Sequence, residues 1–123
     1  MSYRSDVAIA MRKEDYELLK EFDKENENLR DLLAVATVRE KGEAVSLYWE
    51  WLKWYDSFSE VEAIEEFLGK LSDEDKPYKF IRIGEEWDDI EKEENWGDEM
   101  KYCEACYAVN DMISTYRGIE FYD

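Results

Sequence analysis

The sequence predicts an α+β domain whose elements run β-α-β-β-α-β. Three observations carry that expectation. Val7, Ile9 and Met11 alternate near the N-terminus, two β-prone runs flank a short glycine-containing stretch at residues 39–43, and an amphipathic helix opens at Ser59.

Val7, Ile9 and Met11 are interleaved with Ala8 and Ala10, which reads as a strand buried on at least one face. Tyr16, Leu18, Leu19 and Phe22 then recur at helical spacing. Glu14 and Asp15 stand where a helix N-terminus favours negative charge. The polar residues 23–28 either continue this helix or interrupt it, and Leu29, Leu32 and Leu33 resume the apolar pattern. Residues 34–38 and 44–55 read as a hairpin across Gly42. In its second arm Val45, Leu47, Trp49 and Trp51 alternate with Ser46, Tyr48, Glu50 and Leu52. A helix would also place Leu47, Trp51 and Trp54 on one face, but aromatic side chains pack well on a pleated surface, which favours the strand.

Ser59 and Glu62 have the spacing of a capping box, with Phe58 as the hydrophobic staple. Val61, Ile64, Phe67, Leu68 and Leu71 form the apolar stripe of the helix that follows, and Pro77 prevents its continuation. Residues 78–83 read as a strand ending at Gly84. Residues 102–115 are ambiguous between strand and helix, and residues 119–122 read as a short last strand. The order matches a ferredoxin-like sandwich: an antiparallel sheet with two helices on one face, followed by a C-terminal extension, all in a single domain spanning residues 1–123.

Composition bounds the partners. With 33 Asp and Glu against 16 Lys and Arg, the net charge is −17. Such a surface repels nucleic acid and anionic membrane and attracts cationic surfaces. The apolar fraction of 45% excludes a fully disordered chain, and aromatics at 15% point to an aromatic-rich core. Charge near the N-terminus, at Arg4 and Asp6, stands where a secretory signal needs apolar residues, and no apolar run approaches a membrane span. Two cysteines in such a chain suggest a reduced, cytoplasmic setting.

Several chemistries lack their residues. The chain holds no His, so Ser-His-Asp and Cys-His arrangements are impossible. Neither glycine-rich phosphate motif occurs. Cys103 and Cys106 form a CxxC, but Glu104 between them and the acids before them oppose a reactive thiolate, and a second Cys pair for zinc is missing. No cofactor or metal is expected, and no catalytic residue is marked. An enzyme would need a carboxylate pair that no motif singles out.

The densest signal is acidic. Residues 85–94 place seven carboxylates in ten positions, without the EF-hand pattern of a calcium loop. Such a run is either a solvated face or a recognition surface whose carboxylates occupy a cationic groove built for phosphates. The surface reading takes Glu85, Glu86, Asp88, Asp89, Glu91, Glu93, Glu94, Asp98 and Glu99 as the charges, with Trp87 and Trp96 as apolar anchors.

Three stretches together carry a resemblance: Ser2-Tyr3-Arg4-Ser5-Asp6-Val7-Ala8-Ile9, Trp54-Tyr55-Asp56-Ser57, and Phe80-Ile81-Arg82-Ile83-Gly84-Glu85 leading into Asp88-Asp89-Ile90-Glu91. The combination resembles small acidic proteins encoded by bacteriophages and prophages, over most of the first ninety residues. Proteins of that size and charge include inhibitors of bacterial defence, of the anti-CRISPR and anti-restriction kind, several of them DNA mimics. The resemblance implies a non-catalytic accessory protein in the bacterial host cytoplasm that blocks a basic, nucleic-acid-handling host protein such as a nuclease. The alternative is a structural or assembly protein, a homodimer or larger homo-oligomer joined through the aromatic strand, its acids serving only solubility.

Overall fold

The computed structural model describes residues 2–115 and 119–122. Its elements follow in the order β1 (Ser5–Arg12), α1 (Lys13–Glu21), α2 (Glu27–Val35), β2 (Thr37–Lys41), β3 (Ala44–Leu52), α3 (Ser59–Asp73), β4 (Tyr78–Gly84), β5 (Ile90–Asn95), α4 (Glu99–Tyr102), α5 (Ala105–Asn110), β6 (Ile113–Thr115) and β7 (Ile119–Phe121). The fold is α+β. Five antiparallel strands form one sheet in the order β2-β3-β1-β4-β5, and β6 pairs with β7.

β1 lies at the centre of the sheet, and its large-small alternation separates two cores. Val7, Ile9 and Met11 join Val45, Leu47, Trp49, Tyr78 and Phe80 beneath the helices, against Leu19, Leu29, Leu32, Ile64, Phe67 and Leu71. Ala8, Ala10 and Ala44 face the other way. Their small side chains let Val109, Met112 and Ile113 pack close to the sheet. Burying each large aliphatic contributes about 1.5–3 kcal/mol before the entropy of ordering is subtracted.

The interruption at residues 23–26 is real. Asp23 takes a left-handed φ of 49°, and the Asn26 side chain caps α2 by accepting from Leu29 N at 3.0 Å. A buried ion cluster fixes the start of α1. Asp15, with no solvent exposure, receives Arg12 Nε at 2.8 Å and lies 3.4 Å from Lys76 Nζ.

Four expectations are corrected. First, the helix face carries three helices, α1, α2 and α3, because Asn26 restarts a separate helix. Second, Ser59 makes no capping box. Its hydroxyl accepts from Asn28 Nδ2 at 3.2 Å and donates to Asn26 Oδ1 at 3.4 Å, tying α3 to the start of α2. Third, residues 34 and 35 finish α2, while residues 39–41 are strand. The turn shrinks to Gly42 and Glu43, where Gly42 supplies the φ of +58° that a two-residue hairpin needs. Fourth, the sheet is covered on both faces and not one, because the C-terminal extension packs against the second. α5 and the β6–β7 hairpin cover the second face, and half of the acidic run becomes a fifth strand beside β4.

Candidate protein-binding surface

β4 ends at Gly84 and β5 begins at Ile90, and the acidic turn between them is held from several sides. Gly84 N donates to Asp89 O at 2.8 Å, and Asp89 N donates to Glu86 O at 3.1 Å. The Tyr3 hydroxyl donates to Asp89 Oδ2 at 2.5 Å and accepts from Glu86 N at 3.2 Å. Arg4 N donates to Glu85 Oε2 at 2.7 Å. Arg82 closes the network: it grips Asp89 with two nitrogens, at 3.1 and 2.8 Å, reaches Glu91 Oε1 at 2.9 Å and donates to Ser5 Oγ at 3.1 Å. Tyr3 N in turn donates to the Tyr55 hydroxyl at 2.9 Å. Glycine at 84 leaves room for this network, since a Cβ would displace the Asp89 carboxylate and the Tyr3 hydroxyl.

The electrostatics follow from these bonds. Arg82, and after it the Tyr3 hydroxyl, hold the Asp89 carboxyl below the usual aspartate range. The same hydrogen bond to Asp89 pushes the Tyr3 phenol up, and Asp89 does likewise for the Arg82 guanidinium. Three of the stretches that carry the sequence resemblance, around Tyr3, Tyr55 and Arg82–Asp89, therefore meet at one end of the sheet.

The structure divides the acidic set. Asp89 and Glu91 pair with Arg82, Glu93 accepts from the Tyr78 hydroxyl at 2.6 Å, and Glu94 lies 3.8 Å from Lys79. Glu85, Glu86 and Asp88 stay exposed on the turn, with Trp87 among them at 72% exposure. Trp96, Asp98 and Glu99 lie at the opposite end of β5, about 20 Å away at 3.3–3.4 Å per residue. There Asp98 caps α4 through Met100 N at 3.0 Å, and Glu99 accepts from Trp96 Nε1 at 2.5 Å. Residues 85–99 hold nine acids and one lysine, so an excess of negative charge survives the pairing with Arg82 and Lys79.

A further acidic flank comes from α3 and was not foreseen. Glu65 shares a groove of about 290 Å³ with Leu68, Phe80, Glu91 and Glu93. Burial, and then Asp56, Glu91, Glu93 and Glu62, push its carboxyl up. The signal was present in the acids that fill the outward positions of the α3 stripe, but nothing in the sequence aligned them with residues 91 and 93.

The aromatic run corrects another expectation. Trp49 and Trp54 are buried; Trp49 packs against Trp54 and Trp54 against Phe80, each at a ring separation of 6.0 Å. Trp51 is not in the core although alternation places it there. The register shifts in β3, so that Glu50 and Trp51 together oppose Asp6, and this bulge turns Trp51 outward to 59% exposure. Its φ is +56°, a left-handed conformation that costs a non-glycine residue about 1–2 kcal/mol. Asp6 Oδ1 accepts from Trp51 N at 2.9 Å, and Arg4 Nη1 reaches Trp51 O at 3.5 Å. β3 pairs with β1 along its length, but β2 covers its other edge only over residues 44–48, so residues 49–52 pair with β1 alone.

Cys103 is exposed at the end of α4, whereas Cys106 is buried with Tyr102 and Ala105, and burial, followed by Glu99 and Asp98, raises its thiol pKa. Among the described residues no group of three or more His, Cys, Asp or Glu is placed to hold a metal ion, and no helix is long and apolar enough to cross a membrane. No family model, curated protein or solved structure matches the chain.

Proposed function

We propose that the chain is a non-catalytic accessory protein, of the kind that phages encode, which binds and blocks a basic, nucleic-acid-handling protein of a bacterial host from within its cytoplasm. The observation that carries this reading is the acidic turn. Trp87, at 72% exposure, stands between Glu86 and Asp88 on a loop fixed by Tyr3, Asp89 and Arg82. A turn ordered before binding loses little entropy on association, and an exposed indole among carboxylates suits a cationic groove. Occlusion would be steric and electrostatic, with no turnover. The polar network at this end of the sheet is engaged internally, which favours a scaffold over an active site. We also read β4-β1-β3-β2 as a ferredoxin-like unit, extended by β5 and by the C-terminal cover.

The test is a charge reversal that spares the network. Glu85→Lys, Glu86→Lys and Asp88→Lys together should abolish salt-sensitive capture of a basic nuclease while the circular dichroism spectrum stays that of the parent. Capture that survives the reversal removes the turn as the binding surface.

A further inference from the structure

We infer that the binding surface runs past the turn to Trp51, so that Trp51 and Trp87 bracket Glu85 and together receive an arginine-bearing segment of the partner protein. This deepens the proposed function and rests on it. Two grooves meet at Glu85. One, of about 460 Å³, lies between Trp51, Tyr3, Arg4 and Glu85. The other, of about 340 Å³, lies between Trp87, Ile83, Ile90 and Glu85. Glu85 lines both, with the Trp51 indole on one groove and the Trp87 indole on the other. The two indoles are 59% and 72% exposed, in a chain that buries Trp49 and Trp54. Arg4 links the halves, its backbone N–H on Glu85 and its guanidinium on the Trp51 carbonyl.

The chemistry selects the occupant. A guanidinium stacks on an indole face and pairs with a carboxylate through its planar fork, whereas an ammonium is a compact, strongly hydrated point charge. Ile83 and Ile90 offer apolar surface for the side-chain stem. Nucleic acid phosphates and a second copy of the chain are both repelled by Glu85, Glu86, Asp88 and the net charge of −17.

The test uses the full chain and a short peptide alternating arginine and glycine, titrated by calorimetry at low salt. Trp51→Gly is the informative variant, because glycine adopts the positive φ freely, so the indole is lost without damage to the bulge. Trp51→Gly and Trp87→Ala should each weaken binding about tenfold, the step equivalent to about 1.4 kcal/mol. Met100→Ala, on the exposed side of α4 beyond the far end of β5, should leave binding unchanged, and the matching lysine peptide should bind less tightly. The inference is overturned if Trp51→Gly binds as the parent does, if Met100→Ala weakens binding as much, or if Trp51 proves to be needed for binding single-stranded DNA or for self-association. A Trp51→Gly variant that binds normally while the triple lysine reversal does not would sink the extension alone. Normal binding by the reversal variant would sink the acidic surface itself.

Discussion

At the scale of single residues, the molecule sets buried charge against exposed apolar surface. Asp15 sits in the interior with Arg12 and Lys76 as its partners, and both cations are themselves largely covered. Removing the carboxylate leaves two largely covered cations with only the exposed Glu14 and Glu74 as partners, which makes the substitution costlier than the loss of an exposed ion pair. Asp15→Ala should lower stability by about 3 kcal/mol, read from urea denaturation. Trp51 shows the opposite bargain, since its backbone is strained and its indole faces water. Glycine at that position should raise the melting temperature while it weakens peptide binding, and this opposition separates a recognition residue from a structural one.

At the scale of elements, the edge strand β5 and the outer side of α3 form an acidic cleft over Leu68 and Phe80. Glu65 there carries a raised carboxyl, so its ionisation near neutral pH works against the fold. Glu65→Gln should raise the melting temperature at neutral pH, a gain that shrinks as pH falls through the raised value of the parent carboxyl. Much at this scale was legible in the sequence. Large residues alternating with Ala8 and Ala10 placed β1, and Val61 to Leu71 placed α3, because period and residue size are local properties. Trp51 was misplaced because a bulge is set by the partner strand, here by Asp6 taking the Trp51 amide. The fifth strand was hidden because Glu91, Glu93 and Glu94 have low strand propensity and owe their conformation to pairing with β4. The tail was ambiguous since its apolar residues answer to the alanine face of the sheet, a surface created by distant segments.

At the scale of the whole molecule, pH acts through two opposed groups. Glu65 has its folded pKa raised, so the stability linked to it is present at low pH and lost as pH rises through that folded value. Asp89 has its folded pKa lowered by Arg82, so its contribution is present above the ordinary aspartate value of about 3.9 and lost as pH falls further. The melting temperature should therefore climb as pH falls through the raised Glu65 value and drop once pH falls below the ordinary aspartate value of about 3.9, the acid limb shifting upward when Tyr3→Phe removes one of the donors to Asp89. The second core has a consequence for biosynthesis. Ala8, Ala10, Ala44 and Ile81 are covered by Val109, Met112 and Ile113. On the ribosome, strands β1 to β4 emerge first, and their bare side waits for residues made later. For that interval, a few seconds at about 5–20 residues per second, the nascent chain shows an open greasy plane to chaperones and to its neighbours on the same message.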